Sequence, residues 1–166
     1  SEWAPHGGHS CVSETVGFVL EADACLQGGG ARWADRFYTV VFPSSMSGLP
    51  ISQLEFLNIV VAIKLWASHW AGCTIQVLCD NDAAVCVLQS GKGRDSFLLS
   101  CAREIWWHSA LWDFSVVAQH RSSAEMRVVD ALSRLPAQPL PADVALDLQN
   151  CIQDYPSQEL FNFVHN

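Results

Sequence analysis

Val77–Gln89 reads VLCDNDAAVCVLQ, a short apolar run that stops at Asp80-Asn81-Asp82 and passes directly into helical spacing. Thr74–Cys79 (TIQVLC) has the length and composition of a buried strand, and Asn81–Gln89 has the spacing of a helix. In open α/β sheets, ligands gather beyond the carboxyl ends of the strands that feed helices. Asp80 occupies such an end. Its meaning depends on which other carboxylates reach the same place.

Upstream, Val16–Cys25 (VGFVLEADAC) reads as a strand that closes on Asp23. The triplet Gly28–Gly30 predicts a tight turn, since glycine accepts positive φ at little steric cost. Ala31–Ala34 is a short strand candidate and Phe37–Phe42 (FYTVVF) a further strand. After the loop Pro43–Pro50, residues Leu54, Leu57, Val61 and Leu65 recur at helical spacing from Ile51 to about Ser68, with Ser52 as a cap. Downstream, Ser90–Asp95 (SGKGRD) is a loop, Ser96–Leu111 a helix and Phe114–Gln119 a strand. Glu125–Leu135 is a helix that Pro136 stops. This order predicts an α/β domain with a mixed five-stranded sheet, the first three strands antiparallel, and helices on both faces. The strand at Val16–Cys25 should pair in parallel with Thr74–Cys79. Residues 1–15 read as an N-terminal linker, 16–135 as the domain, and 136–166 as an extension or linker.

A chain of 166 residues, half of them hydrophobic and seven of them tryptophan, is long enough for one sizeable core. Lys64 and His69 break the longest apolar run, so no membrane span is expected. The first residues lack the basic-then-apolar layout of a secretion signal. Cys11, Cys25, Cys73, Cys79, Cys86, Cys101 and Cys151 form no CxxC pair, which argues against zinc and for reduced thiols in an intracellular setting, cytoplasmic or nuclear. A formal charge of −8 argues against broad affinity for nucleic acid, though not against a local site. Lys92, Arg94, Arg121, Arg127 and Arg134 read as surface charges. Neither GxGxxG nor GxxxxGK[ST] occurs, which removes the usual glycine cradles for nucleotide phosphates.

Four carboxylates stand at element ends or on inward faces: Asp23, Glu55, Asp80 and Asp130. Singly, each could cap a helix or face solvent. Glu55 and Asp130 lie among apolar neighbours, however, where an unpaired carboxylate is expensive to bury. Together they fit a shared site for Mg²⁺ or Mn²⁺, hard cations that take oxygen ligands. Such a cluster could hold two ions about 4 Å apart and support in-line phosphoryl displacement. Crowding should raise the pKa of at least one member. His120, ten residues before Asp130, reads as a loop histidine able to move a proton near neutral pH. Asp82 reads as a first-turn acid favoured by the helix dipole. Trp106-Trp107 could stack bases, but core packing is the expectation.

The segments VLEADACLQGGGARW, ISQLEFLNIVVAIKLW, VLCDNDAAVCVLQSG and QHRSSAEMRVVDALSRL together resemble the ribonuclease H domain that follows the reverse transcriptase in long-terminal-repeat and DIRS/Ngaro-like retroelements. The resemblance spans Val16–Leu135, and VVDALSRL is its most specific piece. It implies a ribonuclease H-like fold and four metal ligands: Asp23 on the first strand, Glu55 on the helix, Asp80 bridging two ions, and Asp130 last. It further implies that His120 aids proton transfer or product release. The implied activity is cleavage of the RNA strand of an RNA–DNA hybrid, beside a neighbouring reverse transcriptase domain. Three positions depart from the pattern: Met126 stands where an Asn is usual, Arg121-Ser122-Ser123 replaces a glycine-containing loop, and Val129 replaces Ala. These departures keep a second reading open, a non-catalytic module of the same fold serving as scaffold or nucleic-acid interaction domain.

Overall fold

The computed structural model describes residues 17–135 and 137–163. The expected linker at residues 1–15 lies outside them. Six strands form one sheet in the order β5-β4-β1-β2-β3-β6. β1 (Phe18–Ala24), β2 (Gly28–Trp33) and β3 (Arg36–Val41) are an antiparallel meander. β4 (Thr74–Cys79) lies parallel to β1, with Phe18 opposite Ile75 and Glu21 opposite Leu78. β5 (Ser115–His120) is parallel to β4. The mixed sheet and the antiparallel opening match the expectation. The strand count is corrected to six, because β6 (Ile152–Gln153) pairs in parallel with β3.

Helices cover both faces. α1 (Ile51–Trp66) carries most of the larger core, with Leu54, Leu57, Val61 and Trp66 buried against Leu20, Ala31, Tyr38 and Val40 of the sheet. By length and a mean hydropathy of 1.3, Ile51–His69 meets the requirement for a membrane span, against the expectation drawn from Lys64 and His69. In the fold this segment is the central core helix, with 61% of its membrane-length window buried inside the domain. Its start also differs from expectation: Pro50 is the N-cap and Ser52 makes no capping bond. α2 (Asp82–Ser90) begins at Asn81, whose side-chain oxygen accepts from the Ala84 amide, and ends at Gly91 with φ 73°. α3 (Ser96–Trp112) is capped by Asp95 and buries Leu98, Cys101, Ala102 and Ile105. That i, i+3, i+4, i+7 stripe leaves the next two residues facing outward, so Trp106 and Trp107 are 37% and 63% exposed rather than in the core.

On the opposite face, α4 (Arg127–Ser133) buries Val128, Val129 and Leu132 with Phe37 and Leu78. The chain beyond it returns as an extension that clasps the domain. α5 (Ala142–Asp147) adds Val144, and Leu148 just beyond it joins the same cluster. Asp154 then bonds Arg36 and the Trp66 indole, and Phe161 inserts beside Phe42 in the α1-side core.

Gly28–Gly30 is the clearest local departure from expectation. The triplet is the first half of β2, not a turn. What demands glycine is proximity: a Cβ on Gly30 would sit 2.5 Å from the Leu132 Cβ and 3.0 Å from the Val129 carbonyl. Close approach of α4 to the sheet requires that bare backbone.

Candidate metal centre

Asp23 is the penultimate residue of β1 and lies directly opposite Gly30. The gap left at Gly30 admits α4, and with it Asp130, beside Asp23. Asp80 follows the last residue of β4, the parallel neighbour of β1. Asn81 has a second task besides capping α2: its side-chain amide donates to the Ser52 carbonyl at 2.8 Å. This bond ties the start of α1, which carries Glu55 one turn in, to the strand end that presents Asp80. The carboxylates therefore share one end of the sheet.

The contacts between them are specific. The Ser123 hydroxyl lies 3.2 Å from Asp23 Oδ1 and 3.0 Å from Asp80 Oδ2, so its single proton is shared between them. The Ser123 amide points at the same Asp80 oxygen from 3.4 Å. His120 Nε2 lies 3.0 Å from Asp80 Oδ1. Arg134 Nη2 donates to Asp130 Oδ1 at 3.2 Å. His120 itself is the last residue of β5, paired with Cys79, rather than a residue of the following loop. Its strand placement holds because the Arg121 amide continues the ladder to the Cys79 carbonyl at 2.9 Å.

Burial, and secondarily the nearby Asp130 carboxyl, pushes Asp23 from 3.8 up to about 7, although Ser123 works the other way. Glu55 rises from 4.5 to about 8 through burial first and the charges of Asp23 and Asp80 second. Cys79, beneath the cluster, is pushed up to about 12, chiefly by burial, which makes it an inert thiol. Among the described residues no three His, Cys, Asp or Glu side chains are set together as ligands for one ion. The donor chemistry nevertheless fits a hard divalent cation, since the set is all carboxylate oxygen. What the present rotamers lack is convergence, with Asp130 engaged by Arg134 and Ser123 lying between Asp23 and Asp80.

Met126 is 1% exposed and packs in the apolar cluster under α4, so the residue in the usual Asn position makes no polar link to the site. Ser123 supplies that link instead. It is held by a short 3₁₀ turn in which Ser122 and Glu125 form a capping box. The motif Ser122-x-x-Glu125 was legible in sequence; that the next hydroxyl would reach two carboxylates was not.

No family model matches the chain, and no curated protein matches it. Solved structures do. LC11-RNase H1 in complex with RNA/DNA hybrid aligns with a TM-score of 0.57 at 12% identity, over 69% of this chain and 92% of that one. RNase H1 from the halophilic archaeon Halobacterium salinarum aligns at 0.49 and 14% identity, over 69% of this chain and 91% of that one. The N-terminal RNase H domain of Rv2228c from Mycobacterium tuberculosis aligns at 0.48 and 16% identity, over 69% and 94%. The LC11-RNase H1 alignment shows that this chain has the ribonuclease H-like fold.

Proposed function

We propose that this domain is a divalent-metal-dependent endonuclease that cleaves the RNA strand of RNA–DNA hybrids. The observation that carries the reading is the joining of Asp23 and Asp80 through one hydroxyl, with Glu55 within electrostatic reach, Asp130 beside Asp23 and His120 on Asp80. Asp23, Glu55, Asp80 and Asp130 would hold Mg²⁺ or Mn²⁺, two ions by the carboxylate count. When bound, the cations would offset the clustered negative charge and polarise a phosphate oxygen. The chain's own residues do the rest. Exposed at the rim of the cluster, His120 can accept or return a proton while its other nitrogen faces Asp80. The α1 and β1 backbones hold Glu55 and Asp23 in a partly desolvated setting, where charge is felt strongly. The 2′-hydroxyls and hybrid shape supply recognition that carboxylates cannot.

The context belongs to the same proposal. We place the domain in a retroelement polyprotein beside a reverse transcriptase, in the cytoplasm or nucleus, and the motif VVDALSRL and the cysteines left free among the described residues support that placement. Weak hybrid affinity, expected of a chain with formal charge −8, would be offset by a polymerase domain holding the same duplex at high effective concentration. The second reading, a non-catalytic module, draws on the Arg134–Asp130 pair and the buried Met126.

The deciding assay uses labelled RNA annealed to DNA, with Mg²⁺ or Mn²⁺, and compares wild type with Asp80→Asn. Cleavage by wild type, lost in the variant and with chelator, is the expected result. A folded wild type that leaves the hybrid intact, even when joined to its polymerase, would transfer the case to the non-catalytic module.

A further inference from the structure

Asn58 lies one turn beyond Glu55 on α1, in the apolar run FLNIVVAI, and is 0% exposed. A buried amide is tolerated only when its bonds are made. Here they are. The side-chain NH₂ donates to the Asp23 carbonyl at 2.9 Å and to the Gly30 carbonyl at 3.0 Å. Its oxygen accepts from the Tyr38 hydroxyl at 2.6 Å. Asp23 and Gly30 face each other across β1 and β2, so this one side chain grips both strands at the rung that carries the first carboxylate. β2 is shaped to receive it: the three atoms nearest a Cβ built on Gly29 all belong to the Asn58 side chain.

Apolar contacts fix how far a helix stands from a sheet, whereas directional bonds also fix where it stands along the strand. The geometry points to Asn58 as a positioning residue of the acidic site, holding α1 in register with β1 so that Glu55 confronts Asp23 and Asp80. Asn58 does not touch the carboxylate oxygens; it acts through the backbone that carries them. This role rests on the proposed nuclease reading, and it adds a residue outside the four carboxylates.

The test uses two variants, Asn58→Ala and the double variant Asn58→Ala with Gly29→Ala, which refills the vacated space without restoring the bonds. Ile105→Ala, a buried truncation on α3, controls for lost stability alone. Calorimetric titration with Mn²⁺ should show both Asn58 variants weakened by about tenfold or more, the usual effect of losing an outer-shell partner. Their kcat on the hybrid should fall similarly with KM unchanged, while Ile105→Ala lowers Tm and leaves Mn²⁺ affinity and kcat as in wild type. A folded double variant with wild-type affinity and kcat would reduce Asn58 to packing and overturn the proposal. If wild type itself binds no Mn²⁺, the nuclease reading fails, and crystal structures of wild type and double variant decide the positioning role. A shift of α1 along β1 would sustain it; Glu55 unmoved relative to Asp23 would overturn it.

Discussion

Among the described carboxyl groups, Asp23 and Glu55 are the two that burial pushes clearly upward, and the shift has a measurable sign. Their folded-state pKa values, about 7 and about 8, lie above the unbound values of 3.8 and 4.5, so the folded chain holds these protons more tightly than the unfolded chain. The linked stability is fully present below about pH 4 and is lost as pH rises through about 7 to 8. In chelator, thermal melts should therefore show Tm falling across that window. Asp23→Asn should flatten the fall, and a profile equal to wild type would remove Asp23 from the effect. His120 is to be tested through turnover, the step the proposed function gives it. His120→Ala should slow hybrid cleavage by about ten- to a hundredfold, at or below the usual range for a lost acid–base partner. Mn²⁺ affinity measured by calorimetry should stay unchanged. Equal turnover by variant and wild type would take His120 out of the mechanism.

At the scale of elements, the site depends on how closely α4 approaches the sheet. Gly30→Ala places a methyl against Leu132 and the α4 backbone, so it should lower stability by about 1–3 kcal/mol, as overpacking does. It should also weaken Mn²⁺ binding, because Asp130 rides on the displaced helix. Urea unfolding together with calorimetry separates the two effects. The same triplet shows what was legible in sequence and what was not. Apolar periodicity placed α1, β4 and α2 within a few residues, because burial on one face imposes that period locally. Gly28–Gly30 looked like a turn because glycine's local meaning is conformational freedom; its meaning here is a helix arriving from about a hundred residues away. Trp106-Trp107 misled for a related reason, since hydrophobicity alone does not report which face of α3 points inward. Asn58 and Ser123 were silent for want of a motif, their partners lying in distant segments. The positions of the carboxylates near element ends were legible, because strand ends and helix starts carry local signals, whereas His120, expected in a loop, is the last residue of β5.

Across the whole molecule, the extension 137–163 ties the two faces together. Val144 and Leu148 complete the core beneath α4, Asp143 receives a two-pronged bond from Arg127, and Phe161 closes the α1 side. Each fully buried side chain of this kind contributes about 1.5–3 kcal/mol, against a domain stability of roughly 5–15 kcal/mol. A chain ending at Leu135 should therefore lose cooperative unfolding or melt far below the full chain, as circular dichroism would record. An unchanged melt would show the extension to be dispensable. The account as a whole turns on one claim, that Asp23, Glu55, Asp80 and Asp130 together hold divalent cations. Anomalous diffraction from a crystal of the domain soaked in Mn²⁺ addresses it directly. The account predicts peaks among those four carboxylates, with Asp130 released from Arg134 and Ser123 drawn away from the space between Asp23 and Asp80. A fully soaked crystal with Asp130 still on Arg134 and no peak at the cluster would contradict it.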